Sequence, residues 1–387
     1  MWAMCFSYQM RGDRAYMGKA IKRILAIIGV IVLALVLIVG GYIAYLVVTY
    51  NRIADMDAVE VENNVSTPTV EIGRPYTAVT YNIGFGAYTP DYTFFMDEGV
   101  MEDGTKTTGE HSVAVSESSV RACTSGAIDA IRALNPDFAL FQEVDTDSTR
   151  SYGVNQKSEI MAAFPSMGSA FAVNFHSAFL AYPPSEPHGI VNAGLLSLSD
   201  AHVDSAVRRS FPVDESFPTK FFDLDRCFLI ERLPVGDAAD GKELVLINSH
   251  MSAFDEGGLI RAKQLELLTG VLEQEAAAGN YVIAGGDWNH ALCDSVELYP
   301  SHQLVPPWVA VFDDSLLPSG FSVVKADNLA DVATCRGVDI PYEKGVTYTT
   351  TVDGFIVSSN VDAHAVNVDT GFAYSDHNPV QLTFTLK

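Results

Sequence analysis

The densest chemistry in this chain lies between Tyr281 and Asn289, which reads Tyr-Val-Ile-Ala-Gly-Gly-Asp-Trp-Asn. Val282, Ile283 and Ala284 form the short apolar run of a strand buried on both faces. Gly285 and Gly286 let the backbone bend and approach another group closely. A carboxylate, Asp287, and a carboxamide, Asn289, follow two residues apart. Such a pair suits hydrolysis of a phosphate ester. The acid activates water, and the neutral amide steadies a phosphoryl oxygen without repelling it. A Gly-Gly turn with two polar loop residues has the same spelling, so the motif needs company.

That company is recurrence. Val79-Thr80-Tyr81-Asn82, Ala139-Leu140-Phe141-Gln142-Glu143 and Val245-Leu246-Ile247-Asn248-Ser249-His250 are further apolar runs ending in an amide, an acid or an imidazole. Asp353 precedes Gly354-Phe355-Ile356-Val357, and Ser375-Asp376-His377 precedes the final strand-like run. If these strands share sheet ends, they deliver a cluster of oxygen and imidazole groups to one place.

The ordered set Tyr81-Asn82-Ile83, Phe141-Gln142-Glu143, Asn248-Ser249-His250, Gly286-Asp287-Trp288-Asn289, Asp353-Gly354-Phe355 and Ser375-Asp376-His377 resembles the endonuclease/exonuclease/phosphatase superfamily. That family includes DNase I-like nucleases, abasic-site endonucleases, neutral sphingomyelinases and inositol polyphosphate 5-phosphatases. The resemblance covers residues 76–387. It implies an α/β fold, a four-layer sandwich of two mixed β-sheets flanked by helices, with the site at one edge. It also implies hydrolysis of a phosphate ester with Mg²⁺, Mn²⁺ being the alternative. On this resemblance Glu143 is the metal-binding glutamate, with Asn82 and Asp376 beside the metal. Asp287 orients or deprotonates water, and Asn289 and His250 hold phosphoryl oxygens. His377 contacts the phosphate, and Asp353 fixes its orientation. Elementary chemistry agrees. Mg²⁺ takes a few hard oxygen ligands and keeps waters. It neutralises charge developing at phosphorus and lowers the pKa of bound water. A carboxylate beside imidazole holds one tautomer and favours the cation.

One position departs from the family pattern. Many members carry a basic residue two positions before the aspartate of the penultimate motif, and here that position is Thr351. Arg226, in Asp223-Leu224-Asp225-Arg226, or Lys220 is the replacement cation to test.

The elements that must position these groups follow from periodicity. Ala78 to Ile83 reads as a buried strand, and residues 84–115 as a long loop. Within it the aromatic stretch Tyr88 to Met96 is packed core, a surface for lipid or a cover over the cleft. Val120, Cys123, Ala127, Ile128, Ile131 and Leu134 keep helical spacing up to Pro136. Strands are expected at Phe138 to Gln142, Ala170 to Phe175, Gly194 to Leu198, Cys227 to Arg232 and Leu244 to Ser249, the last two joined by a Gly236–Gly241 turn. Short and long helices are expected near Ser158 to Phe164 and from Ile260 to Gly279. His111, His176, His188, His202, His302 and His364 read as loop or surface residues, and His290 as a bystander.

The N-terminus is different. Ile24 to Val48 is an uncharged apolar run, about 37 Å long as a helix and enough to cross a bilayer. The division expected is a cytoplasmic tail over 1–23, a transmembrane helix over 24–48, a linker over 49–74 and a catalytic domain over 75–387. Five Lys/Arg precede the run and only Arg52 follows closely, which puts the N-terminus in the cytoplasm and the domain outside the cell membrane. A cleaved signal peptide is the alternative, disfavoured by the length of the run and the lack of a small-x-small cleavage site.

Charge narrows the substrate. The chain carries a formal net charge of -24; residues 1–52 hold six Lys/Arg and one acid, leaving 18 basic and 47 acidic residues, a net of -29, in the rest. Such a body repels nucleic acid unless a local basic groove exists. A tethered, acidic phosphoesterase favours a phosphodiester such as a phospholipid headgroup, with a surface nuclease and an inactive binding module as alternatives. The same metal and acid would serve a phosphomonoester. Five scattered cysteines make no disulfide framework, and Cys123 and Cys227 read as core residues. Oligomeric state has no signature in the sequence.

Overall fold

Residues 2–65, 68–221, 225–236, 240–253 and 258–387 are described by a computed structural model, with side chains for Met17 and from Lys19 onward. The chain divides into two units, Met1–Asn51 and Arg52–Lys387. The first is helix α1, Trp2–Thr49. Its Lys19–Thr49 part is long and apolar enough to cross a membrane, a property shared with signal sequences.

The second unit starts inside the stretch read as a linker. Asp57–Val59 forms strand β1 and Val61–Glu62 forms β2, and each is the outermost strand of a different sheet. Edge strands this short, with acidic side chains turned to water, have the composition of a polar linker. After them come β3 (Pro75–Asn82), the small hairpin β4 (Glu98–Val100) and β5 (Lys106–Thr108), and helix α2 (Glu117–Leu134). Helix α2 is capped by Ser116, whose side chain accepts from Ser119 N–H, and ends at Asn135 in the left-handed region. Strand β6 (Phe138–Asp145), helix α3 (Gln156–Ala163), β7 (Gly168–His176), β8 (Asn192–Ser199) and β9 (Ser205–Ser210) follow. Then come β10 (Cys227–Pro234), β11 (Glu243–His250), helix α4 (Leu259–Ala278) and β12 (Tyr281–Asp287). The chain closes with β13 (Phe321–Val323), β14 (Cys335–Arg336), β15 (Thr349–Thr350), β16 (Asp353–Ser358), β17 (Val361–Asn367) and β18 (Val380–Leu386). Of the expected Gly236–Gly241 turn, residues 237–239 lie outside the described residues.

Two seven-stranded sheets result, ordered β1-β9-β10-β11-β12-β16-β13 and β17-β18-β3-β6-β8-β7-β2. Each holds one parallel pair, β11 with β12 and β3 with β6, among antiparallel neighbours. A parallel pair needs a crossover, and α4 and α2 are the crossover helices. Leu140, Leu246, Ile283, Phe355 and Leu382 fill the space between the sheets. Leu268 and Leu272 of α4 pack on Val245 and Ile247, and Ile128 and Ile131 of α2 pack on Val79 and Phe141. The layers are therefore helix, sheet, sheet, helix, the expected four-layer sandwich.

The sheets are pinned together near their shared edge by a buried amide network. Gln142 Nε2 donates to Asn248 Oδ1 at 2.7 Å and to Thr80 Oγ1 at 3.0 Å. Asn248 Nδ2 donates to the carbonyls of Phe141 and Leu196, both at 3.2 Å. Inside a low-dielectric core such satisfied groups fix one register. The aromatic stretch is mostly core: Tyr88 and Tyr92 are buried with Phe85, Val120 and Val338.

Candidate active site

The C-terminal ends of β3, β6, β11 and β12 meet across the sandwich, so the groups that follow each apolar run converge. At β6 a bulge between Phe141 and Val144 shifts the register against β8, and Glu143 adopts φ 54°. Gln142 thereby keeps its inward amide contacts while Glu143 is turned toward the edge. At β12, Gly286 adopts φ 154°, and a Cβ there would sit 2.0 Å from Ser249 O. Glycine lets β12 lie against β11 at the point where Asp287 and His250 stand side by side in register.

Asp287 is the centre of the arrangement and is buried. Its Oδ1 accepts from Asn289 N–H at 2.8 Å, and its Oδ2 accepts from Asn82 Nδ2 at 2.9 Å. Asn82 also donates to Glu143 Oε1 at 3.2 Å, while its own oxygen accepts from Gly84 N–H at 3.0 Å. The Gly84 contact fixes the amide orientation, so Asn82 offers its NH₂ to the acids and its oxygen to the backbone. Asn82, expected beside the metal, is in this geometry a donor between two carboxylates. Asn289 donates its side-chain amide to Met251 O at 2.8 Å.

Two imidazoles flank Asp287. His250 Nε2 lies 3.5 Å from Asp287 Oδ2 and 3.9 Å from Glu143 Oε1. Burial, reinforced by the charges of Arg226, His377 and Arg150, holds His250 well below the usual histidine range, so the ring is neutral. His377 Nε2 lies 3.7 Å from Asp287 Oδ2, and its Nδ1 lies 2.8 Å from Asp353 Oδ2. Burial alone would depress His377, but Asp353, Cys335, Asp287 and Asp376 hold it well above its ordinary value. Burial, opposed by His377, pushes Asp353 up to about 6. The two rings thus differ in charge because their neighbours differ.

Asp287, Asp353 and His377 offer ligand atoms within 4.8 Å of one another. The Asp353–His377 hydrogen bond already occupies the facing atoms of two of them, which fits an oriented imidazole better than a cation. The alternative pair is Glu143 and Asp376. Burial raises both carboxyls, and the Asp376 charge raises Glu143 further despite Arg150. Two hard carboxylates whose charges act against each other suit a divalent cation.

Two cations in this region carried no sequence signal. Arg150 is buried, pairs with Asp145 at 2.8 Å and lies 3.9 Å from the Phe85 ring centre. Arg336 is buried, donates to Thr89 O at 2.9 Å, and its backbone N–H donates to Asp376 O at 3.0 Å. A buried arginine has no period or spacing; only its tertiary partners reveal it. Of the two expected cations, Arg226 is buried next to the start of β10, where its charge acts on His250, while Asp223 and Leu224 lie outside the described residues. Lys220 lies 5.2 Å from the Phe221 ring centre. Two further histidines expected in loops or as bystanders are buried: His188, pushed down to about 3 by burial and Arg150, and His290, whose Nδ1 is 2.7 Å from Trp288 O.

No family model and no curated protein matches the sequence. Solved structures do match. An endonuclease/exonuclease/phosphatase from Beutenbergia cavernae superposes with a TM-score of 0.52 at 17% identity, over 81% of this chain and 72% of that one. The human Nocturnin catalytic domain gives 0.49 at 13% identity over 85% and 99%, and TDP2 from Caenorhabditis elegans 0.48 at 14% over 81% and 76%. The chain has the endonuclease/exonuclease/phosphatase fold.

Proposed function

We propose that this protein is a metal-dependent phosphoesterase that hydrolyses a phosphodiester, with a phospholipid headgroup as the favoured substrate class. The observation that carries the reading is Asp287, held at one oxygen by Asn289 N–H and at the other by Asn82, between a neutral His250 and a charged His377. A carboxylate fixed in this way is a base already aimed, with no reorientation needed at the moment of reaction.

In this mechanism Asp287 takes the proton from the attacking water. His250 and the second N–H of the Asn289 amide hydrogen-bond phosphoryl oxygens, with Arg226 adding positive charge behind His250. His377, kept as a cation by Asp353, faces the charge that develops on the phosphoryl group. Glu143 and Asp376 would hold the metal, Mg²⁺ first and Mn²⁺ second, which supplies a Lewis acid for that same charge. Helix α1 is a membrane anchor in this reading. The excess of Lys/Arg before the apolar run puts the N-terminus in the cytoplasm and the sandwich outside.

The test uses the full chain in phosphatidylcholine vesicles, with Mg²⁺ or EDTA, and Asp287→Asn alongside. Substrates are bis-p-nitrophenyl phosphate, p-nitrophenyl phosphate, sphingomyelin, phosphatidylinositol phosphates and single- and double-stranded DNA. Metal-dependent turnover of a lipid, lost in the variant, is expected. DNA cleavage without lipid cleavage would replace this substrate class with nucleic acid, and no turnover with any substrate would make the protein a binding module.

A further inference from the structure

Six large apolar or aromatic side chains, Met96, Val115, Tyr152, Phe179, Tyr182 and Ile190, are each between 39% and 58% exposed. Scattered singly, such residues need no explanation; gathered on adjoining segments, they do. The Tyr152 hydroxyl donates to Ala114 O at 3.0 Å, beside Val115. Ile190 N–H donates to Thr149 Oγ1 at 3.0 Å, and its carbonyl accepts from Thr149 N–H at 2.7 Å. The Tyr182 ring centre is 5.7 Å from that of Phe95, the neighbour of Met96.

The strand register puts this rim at the active-site edge. Strand β6 ends at Asp145, opposite Ala193 at the start of β8, and leads into the segment that carries Tyr152. His176, the end of β7, faces Asn192, so the loop over 177–191 sits at the same strand ends as Glu143.

An independent feature lies at that edge in the other sheet. Ser249 faces Phe228, Cys227 faces Ser210, and Arg208 faces Asp57. The start of β1 is therefore at the His250 end of the sheet. Just before it, Arg52 is fixed to Asp225 by a 2.9 Å ion pair. Only Tyr50 and Asn51 separate Arg52 from Thr49, the last residue of the apolar helix. That chain reaches about 10 Å at most, where a linker running to residue 74 would have allowed several times more.

We infer that the active-site edge rests on the bilayer surface, with the six-residue rim in the boundary between headgroups and acyl chains. Aromatic and aliphatic side chains of this kind partition there. The occupant is bilayer lipid because the helix that ends three residues before Arg52 is the membrane span. The lipid is neutral or zwitterionic, because the acidic body would be repelled by a strongly anionic surface. The inference rests on the anchor and phosphoesterase readings above and narrows the substrate to lipid in the protein's own membrane.

The experiment uses the full chain in phosphatidylcholine nanodiscs with bromine-labelled acyl chains. Phe179→Trp and Tyr182→Trp report on the rim, and Ala277→Trp, exposed at the opposite end of the sandwich, is the control. Emission added at 179 and 182 falls by roughly half or more with brominated lipid, and emission at 277 does not change. Quenching of all three by aqueous acrylamide, with none by lipid, would overturn the inference. So would a blue shift without lipid quenching, which would mean that a second copy or another protein covers the rim. In activity, Phe179→Ser with Tyr182→Ser lowers turnover of vesicle lipid by about tenfold or more and leaves soluble bis-p-nitrophenyl phosphate turnover unchanged. Lipid quenching in a protein that hydrolyses nothing would remove the enzyme reading and leave the docking intact.

Discussion

His377 Nδ1 lies 2.8 Å from Asp353 Oδ2, and the other nitrogen of the same ring lies 3.7 Å from Asp287 Oδ2. One carboxylate orients the ring and the other shares its working face. Asp353→Asn keeps the shape and replaces a charged acceptor with a neutral amide. His377 then loses the strongest group holding its proton. The variant should fold with an unchanged melting temperature to within a few degrees and lose roughly a hundredfold or more in kcat. Equal kcat in variant and parent would remove Asp353 from the mechanism.

Glu143 separates metal binding from proton transfer. Glu143→Gln keeps a hydrogen-bond acceptor for Asn82 and deletes one of the two proposed anionic ligands. Calorimetric titration with Mg²⁺ should show affinity reduced by about tenfold or more, with Asp287→Asn changed far less. The reverse order would move the metal from Glu143 and Asp376 to the group formed by Asp287, Asp353 and His377.

Gly286 carries a backbone requirement. Its φ of 154° and the 2.0 Å approach of Ser249 O leave no room for a methyl group. Gly286→Ala should cost about 3 kcal/mol or more and push β12 away from β11. Reduced soluble yield and a lowered melting temperature would show it. A variant as stable as the parent would mean that the two strands tolerate separation at this point.

Much of this architecture was legible because of how parallel strands are built. β3, β6, β11 and β12 are buried on both faces, so each spells a continuous apolar run, and the polar residue that ends the run stands out. The short edge strands β1 and β2, and β9 beside β1, follow the opposite logic. β1, β2 and β9 combine two to six residues with charged side chains, and Ser205–Ser210 contains Arg208 and Arg209. Their pairing is set by a sheet already formed, not by their own pattern. The same applies to side chains whose role depends on neighbours. Asn82 at a strand end does not spell its partners, and only the fold shows its amide between Glu143 and Asp287 with its oxygen on Gly84 N–H. His188 spells a loop residue, yet Phe85, Phe94, Phe95 and Phe175 surround it.

Glu231 gives the fold a pH dependence of its own. It lies on β10 opposite Leu246, facing the space between the sheets, and is buried. Burial, opposed by Ser197, pushes its carboxyl from 4.5 up to about 7. Below pH 4.5 the folded and unfolded chains both hold the proton, and the group has no effect. Between 4.5 and about 7 the folded protein keeps a proton that the unfolded chain has released. Stability from this group therefore falls as pH rises through that window and stays low above it. The full difference is about 3 kcal/mol, from roughly 1.4 kcal/mol per pKa unit. Glu231→Gln carries no titrating proton, so it should match the parent near pH 5 and exceed it at pH 8 by up to about 3 kcal/mol. Denaturant unfolding of both proteins at the two pH values measures this directly. Parallel stability curves would show that the Glu231 carboxyl is solvated or paired in the folded protein.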